Sequence, residues 1–336
     1  MPLVERLLNK AIDLHASDIH FYPFSQETKI YFRIQGKRIF HQSIPTNQYE
    51  LLLTFFKFSS GMDIGESRKP QDGSIKHHSG VAGSFSLRLS TLPLSDIESL
   101  AVRILPQEEQ LPLEQLFLFP NQLNDLKKWT RNRAGIILLT GPTGSGKTTT
   151  LYALLQKIIQ EKSYQTITLE DPIEKKIDNV LQVQINEKAG ITYQTGLKAA
   201  LRHDPDMIMI GEIRDNQTAE FAFNASLTGH LVLSTLHAKN AKGTIYRLLE
   251  MGIKQQDMLQ SLIAVASLQL IPVKTKGNII RRAAILELLD GKRLENTIMT
   301  SDRTIDDDDY YSFEHLRRKA YAYGFISEAT FIEASN

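Results

Sequence analysis

Gly141 to Thr148 reads GPTGSGKT, and no other stretch restricts the fold so strongly. A glycine-studded turn ending in Lys and Thr can aim successive backbone N–H groups at one anion only if a strand delivers it and a helix N-terminus backs it. Both flanks are present: the apolar run Gly135 to Leu139 reads as a strand, and Lys147 to Gln160 as a helix. Gly141, Gly144 and Gly146 permit left-handed turns. Lys147 is placed to reach terminal phosphates and the Thr148 hydroxyl to ligate magnesium. The segment Gly141, Pro142, Thr143, Gly144, Ser145, Gly146, Lys147, Thr148 and Thr149 is therefore expected to bind a nucleoside triphosphate.

The sequence after the loop alternates short apolar runs with long helical stretches. Thr166 to Leu169, Met207 to Ile210 and Leu231 to Ser234 are short runs rich in Ile, Leu, Val and Met, bounded by Gly, Pro or Asp. Such runs suit strands of a mostly parallel sheet covered on both faces, so the fold class is α/β, with residues 121–290 as its core. Residues 1–105 read as a smaller α+β domain. It has a helix from Val4 to His15, a hairpin of Lys29 to Ile34 and Arg38 to Gln42 about Gly36, and a strand in which Phe85, Leu87 and Leu89 alternate with Ser84, Ser86, Arg88 and Ser90. Pro106, Pro112 and Pro120 mark residues 106–120 as a linker. Residues 291–336 read as a helical tail containing a solvated acidic run, Asp306 to Asp309, and a helix, Phe313 to Ala322, stopped by Gly324.

A length of 336 residues agrees with two domains. With no cysteine, disulfides, catalytic thiols, iron-sulfur clusters and thiolate zinc sites are excluded. Lys and Arg total 39 against 38 Asp and Glu, so no global field draws the chain to nucleic acid or anionic lipid. Charges at Glu5, Arg6, Lys10 and Asp13 leave no apolar segment for a secretory signal. The uncharged stretch Phe221 to Ala238 is broken by Asn224, Gly229, His230 and His237, and is too short to cross a bilayer. In Met258 to Val273, Leu259, Leu262, Ile263, Ala266 and Leu270 recur at helical spacing, which predicts a core helix.

Hydrolysis needs carboxylates at the carboxyl edge of the sheet, where they can hold magnesium and orient water. Glu170, Asp171 and Glu174 follow one expected strand, and Glu212 follows another. Glu170 is the choice for polarising the water, and Glu212 for magnesium, directly or through its waters; the reverse assignment stays open. Glu174 reads as a solvated acid, and Asp206, at the opposite end of its strand, as structural. His230 and His237 bracket a strand and stand too far apart to chelate one ion. His237 emerges on the phosphate side as a candidate sensor of the γ-phosphate, whereas His230 reads as a hydrogen-bonding residue.

Together GPTGSGKTTTLY, TLEDPIE (Thr168 to Glu174), LRHDPDMIMIGEIRD (Leu201 to Asp215) and TGHLVLSTLH (Thr228 to His237) resemble, in order, the Walker A, Asp, Walker B and His boxes of the secretion and type IV pilus ATPases, or traffic ATPases. ASDIHFYP (Ala16 to Pro23), KPQDGSI (Lys69 to Ile75) and RLSTLP (Arg88 to Pro93) extend the resemblance from about Ala16 to Arg282. It implies a RecA-like P-loop core with a PAS-like N-terminal domain, closing around ATP and Mg2+ in a homo-hexamer. It also implies that Arg88 and Arg103, from RLSTLP and LAVRIL, are the paired arginines that approach the γ-phosphate. Arg103 stands inside an otherwise apolar strand, where an unpaired guanidinium is costly, so it is expected to meet a carboxylate or a phosphate.

KAGITYQTGLKAALRHDPDMIMIGEIRD and GTIYRLLEMGI look most like the ComG-type assembly ATPases of Gram-positive competence pili. Two features depart from the pattern. Pro272 to Arg282 lacks the tetracysteine zinc module of many assembly ATPases, so no zinc is expected, and Leu268-Gln269-Leu270 stands where Gln-Arg-Leu is usual. The expected function is a cytoplasmic motor, peripheral on the inner face of the membrane, that drives a polytopic platform protein to assemble a DNA-uptake pilus. Membrane contact is expected only through that partner, and no direct nucleic-acid binding. The alternatives are a pilus retraction ATPase, a type II secretion ATPase and a nucleotide-gated scaffold.

Overall fold

A computed structural model describes residues 2–34, 36–80, 83–95, 97–106, 112–274, 280–300 and 312–333. The chain divides into two compact units, Met1–Glu109 and Gln110–Asn336.

The first unit runs α1 (Pro2–Asp13), β1 (Ala16–Pro23), β2 (Glu27–Ile34), β3 (Lys37–Pro45), α2 (Thr46–Ser60), β4 (Gln71–Ser79), β5 (Gly83–Pro93) and β6 (Glu98–Pro106). Its strands form one antiparallel sheet in the order β3-β2-β1-β6-β5-β4. The alternation in β5 sets its sidedness: Phe85, Leu87 and Leu89 are buried and the intervening residues are more open. Leu7, Leu8 and Ile12 of α1 and Tyr49, Leu52 and Phe56 of α2 pack with Ile19, Phe21, Ile30, Phe32 and Val102. The opposite face carries the polar set, as expected of an antiparallel sheet covered on one side.

The second unit runs α3 (Leu113–Leu116), α4 (Pro120–Trp129), β7 (Gly135–Thr140), α5 (Lys147–Glu161), β8 (Thr166–Glu170), β9 (Leu181–Gln184), α6 (Tyr193–Leu201), β10 (Met207–Ile213), α7 (Asn216–Leu227), β11 (Leu231–Leu236), α8 (Ala241–Glu250), α9 (Gln255–Ser261), β12 (Leu262–Lys274), β13 (Ile280–Asp290), α10 (Gly291–Thr300), α11 (Phe313–Ala322) and α12 (Glu328–Glu333). The strand order is β13-β12-β7-β11-β10-β8-β9. Every pair is parallel except the β12–β13 pair. All six residues of β7 are buried: Ile136 and Leu138 join one core with Phe223 of α7 and Ile245 of α8, while Ile137 and Leu139 join another with Leu151 and Leu154 of α5. A strand covered on both faces needs no polar alternation, which explains its unbroken apolar text.

One reading is corrected. Met258 to Val273 is no single core helix: a short α9 ends at Ser261, and the chain continues as β12, between β7 and β13. Its residues contribute to cores on both faces, so the apolar positions include helical spacings by coincidence. Pro272 lies beyond Ser267, the last residue paired to β7, where a missing N–H costs that ladder nothing. Residues 112–120, within the expected linker, carry structure of their own. α3 packs Leu113 into the core, Leu118 donates its N–H to the Ala284 carbonyl at 2.9 Å, and Pro120 opens α4 in the first helical turn. The acidic run Asp306 to Asp309 lies outside the described residues.

Candidate nucleotide site

The loop between β7 and α5 has the geometry its glycines suggested. Gly141 has φ +142°, and a Cβ there would stand 2.6 Å from the Leu268 carbonyl oxygen of β12, so only glycine fits. Gly146, at φ +93°, turns the chain into the first residue of α5. Ser145 is 4 % exposed, and its hydroxyl has no hydrogen-bond partner among the described residues. The Lys147 ammonium donates to the carbonyls of Gly141 (2.9 Å) and Pro142 (3.0 Å). Burial holds this lysine below its ordinary range, and the Glu212 carboxylate nearby opposes that shift. An orphan hydroxyl, a buried cation and a helix N-terminus around one bend fit the phosphates of a nucleotide.

Glu170 ends β8. It is 3 % exposed, and three donors hold its carboxylate: the Tyr152 hydroxyl of α5, Thr168 Oγ1 (2.6 Å) and Gln182 Nε2 (3.0 Å) of β9. Burial and the bond to Glu170 push the Tyr152 hydroxyl well above the ordinary tyrosine range, so it acts as a donor to that carboxylate. The Tyr152 oxygen also accepts the backbone N–H groups of Glu174 (3.3 Å) and Lys175 (3.4 Å). The helix that begins at the phosphate loop is thereby tied to the segment after Glu170.

Glu212 lies at a break in the sheet. The register of β10 against β11 slips between Ile210 and Ile213, and such a bulge re-aims side chains. Ser234 Oγ and Thr235 Oγ1 donate to the Ile210 (2.8 Å) and Gly211 (2.7 Å) carbonyls across this interruption. A Cβ at Gly211 would stand 3.4 Å from the Leu169 carbonyl oxygen, in ordinary contact, so glycine in place of the Asp of the commoner second nucleotide motif has no steric explanation. One Glu212 oxygen meets His237 Nε2 at 2.8 Å and the other meets Arg214 Nε at 2.6 Å. Arg214 also reaches Asp171 Oδ2 at 3.1 Å.

Lys147, Glu170, Glu212 and His237 thus all belong to the carboxyl-edge segments of one parallel sheet, the edge at which such sheets bind ligands. His230 bonds the Ala225 carbonyl (3.0 Å) and Thr228 Oγ1 (3.1 Å) through Nδ1, while Asp206 accepts the Gln165 N–H at 2.8 Å. Tyr152, Gln182 and Arg214 were not singled out from the sequence, although Tyr152 and Arg214 stand within the quoted boxes. Tyr193, also missed, opens α6; burial and the charge of Asp171 push it up to about 12.

Arg88 and Arg103 belong to the first unit, directly opposite each other on β5 and β6. The expectation that Arg103 is enclosed by an apolar strand is corrected. Val102 and Ile104 point into the core, whereas the Arg103 side chain is 58 % exposed and its Nε donates to Asp18 Oδ1 at 2.8 Å.

Comparison with known proteins accounts for both units together. The family model described as "Type II/IV secretion system protein" matches residues 1–305. The chain belongs to this family. It is a pilus or secretion ATPase, with a RecA-like P-loop core and a smaller N-terminal α+β domain. Competence protein ComGA of Bacillus subtilis (strain 168) is 42 % identical over 336 residues, covering 96 % of this chain and 94 % of that protein. Among solved structures, the Legionella pneumophila ATPase DotB superposes with a TM-score of 0.79 at 21 % identity, covering 99 % of this chain and 96 % of that one. The pilus retraction motor PilT with bound ADP gives 0.71 at 26 % identity, covering 98 % and 96 %. Among the described residues, no helix is long and apolar enough to cross a membrane, and no group of three or more His, Cys, Asp or Glu could hold a metal ion.

Proposed function

We propose that this chain hydrolyses ATP to power assembly of a competence pilus for DNA uptake, working as a homo-hexamer on a polytopic membrane platform protein. The observation that carries the reading is the convergence of the phosphate loop with Glu170, Glu212 and His237 at one sheet edge. Near-complete coverage at 42 % identity to a competence protein supports the choice of machine. The motor acts at the cytoplasmic face of the membrane, through its partner, and requires neither zinc nor direct contact with nucleic acid.

In this reading the loop N–H groups from Gly141 to Thr149 and the Lys147 ammonium bind the phosphates. Thr148 and Glu212 would hold magnesium, Glu212 directly or through water; when bound, the ion supplies charge neutralisation of the phosphate oxygens. Glu170 orients and polarises the attacking water, which its buried carboxylate can accept as a fourth donor beside its three protein donors. His237, bonded to Glu212, reads the γ-phosphate end of the site. Arg88 and Arg103 approach the γ-phosphate and offset its developing charge. The domains of this working unit are residues 1–105 and 121–290, joined by 106–120 and followed by the tail 291–336.

The test is a Lys147→Ala chain. It should lose ATP hydrolysis in vitro and transformation in cells, and retention of both rejects the proposal. Similarity to a retraction motor favours a second reading, that the chain pulls pili in. Gene deletion separates the two: loss of pili supports assembly, whereas surplus pili with failed uptake supports retraction. An unchanged rate in Glu170→Gln would point instead to a scaffold with slow turnover.

A further inference from the structure

We propose that Asp18 is a positioning residue for hydrolysis, fixing the Arg103 guanidinium on the open face of the first sheet so that its terminal nitrogens stay free for phosphate. The inference rests on the reading of Arg103 given above. Sheet registry carries it. Arg88 faces Arg103, Arg103 faces Asp18, Asp18 faces Arg33 and Arg33 faces Arg38, across β5, β6, β1, β2 and β3. One carboxylate therefore lies within a row of four guanidinium groups. Neighbouring like charges in such a row repel at cross-strand distance, and Asp18 separates the two inner members, Arg103 and Arg33.

The geometry distinguishes the two arginines that flank it. Arg103 Nε lies 2.8 Å from Asp18 Oδ1, whereas Arg33 Nε lies 3.7 Å from Oδ2, which also accepts a 2.8 Å bond from Ser17 Oγ. Asp18 is 7 % exposed, while the Arg103 side chain is mostly in solvent. Burial pushes the Asp18 carboxyl up, but the hydrogen bonds from Arg103 and Ser17 overcome it and leave the group below the ordinary carboxylate range. The anchor is thus rooted in the unit, and the long side chain it holds is otherwise exposed. Because the anchoring atom is Nε, the Nη pair that matches a phosphate edge is not used up.

The test measures steady-state ATP hydrolysis by the full chain carrying Asp18→Asn, Arg103→Ala, Arg103→Lys or both Asp18→Asn and Arg103→Ala. Asp18→Asn is expected to lower kcat about tenfold with KM for ATP changed less than about threefold, because a group acting on transition-state charge affects turnover. Arg103→Lys, which keeps the charge but has no Nε anchor, should lose at least as much. The double variant should match Arg103→Ala alone, since the carboxylate acts only through that arginine. Unchanged kcat in Asp18→Asn beside an impaired Arg103→Ala overturns the proposal. So do additive losses, which mark Asp18 as merely structural. Should Asp18→Asn fail to fold, a fully active Arg103→Lys overturns it too. Full activity in Arg103→Ala overturns the reading of Arg103 itself, and this inference with it.

Discussion

The two sheets solve opposite problems. The second is parallel but for one edge pair and buried on both faces, so its ligand groups can emerge only at strand ends, and Glu170, Glu212 and His237 stand there. The first is antiparallel with one face open, so its functional candidates line up across strands, as in the row from Arg88 to Arg38. A covered sheet concentrates chemistry at its edge, where nearby sequence supplies it in compact boxes. An open sheet spreads chemistry over a face assembled from distant segments.

The sharpest way to break this contrast is to strike the edge. Lys147→Ala should reduce ATP turnover at least about a thousandfold, measured as phosphate release, because one charged donor to the transferring phosphate is lost in a buried site. A variant at Glu170→Gln should retain ATP binding, followed by calorimetry, while kcat falls about a hundredfold or more. Removing buried volume probes the covered sheet itself: Leu138→Ala, at 0 % exposure, should cost about 2–5 kcal/mol in urea unfolding. On the open face Arg38→Ala should cost under about 1 kcal/mol, although Arg38 stacks 4.6 Å from the Tyr31 ring centre. A loss at Arg38 as large as at Leu138 would refute the comparison.

The smallest expected effect concerns pH. The Asp18 carboxyl is depressed on folding, so its contribution to stability is complete above the ordinary aspartate value of 3.8 and vanishes as pH falls through the lower folded value. Between about pH 7 and 8 the stability difference between the parent chain and Asp18→Asn should therefore be flat, as read from denaturation midpoints, whereas below that interval protonation of His20, whose charge acts on Asp18, adds a slope. A slope in that interval would mean that another group titrates against this pair.

Legibility followed the same division. β7, β10 and β11 were readable because doubly buried strands are rich in Ile, Leu, Val and Met, β8 although Thr166 and Thr168 alternate with Ile167 and Leu169, and the phosphate loop because its spacing is contiguous. The same rule misled at β12, whose apolar residues fall at helical spacing while its neighbours make it a strand. Tyr152 and Gln182 escaped notice because their bearing on Glu170 is a matter of tertiary contact across α5, β8 and β9. Arg103 was correctly expected to meet a carboxylate or a phosphate, but for the wrong reason: apolar neighbours in sequence point to the other face. Asp18, 85 positions away, could be matched to it only by registry.

Lys147 of the phosphate loop is engaged before any ligand arrives. Its ammonium already rests on two carbonyls of its own loop, so an arriving ligand trades one set of acceptors for another and releases no bare cation. Only a group whose net negative charge attracts the ammonium more strongly than two neutral peptide carbonyls do profits from that trade. The loop should therefore discriminate steeply by phosphate count, being nearly indifferent to adenosine, weakly drawn to the monophosphate and strongly drawn to the triphosphate.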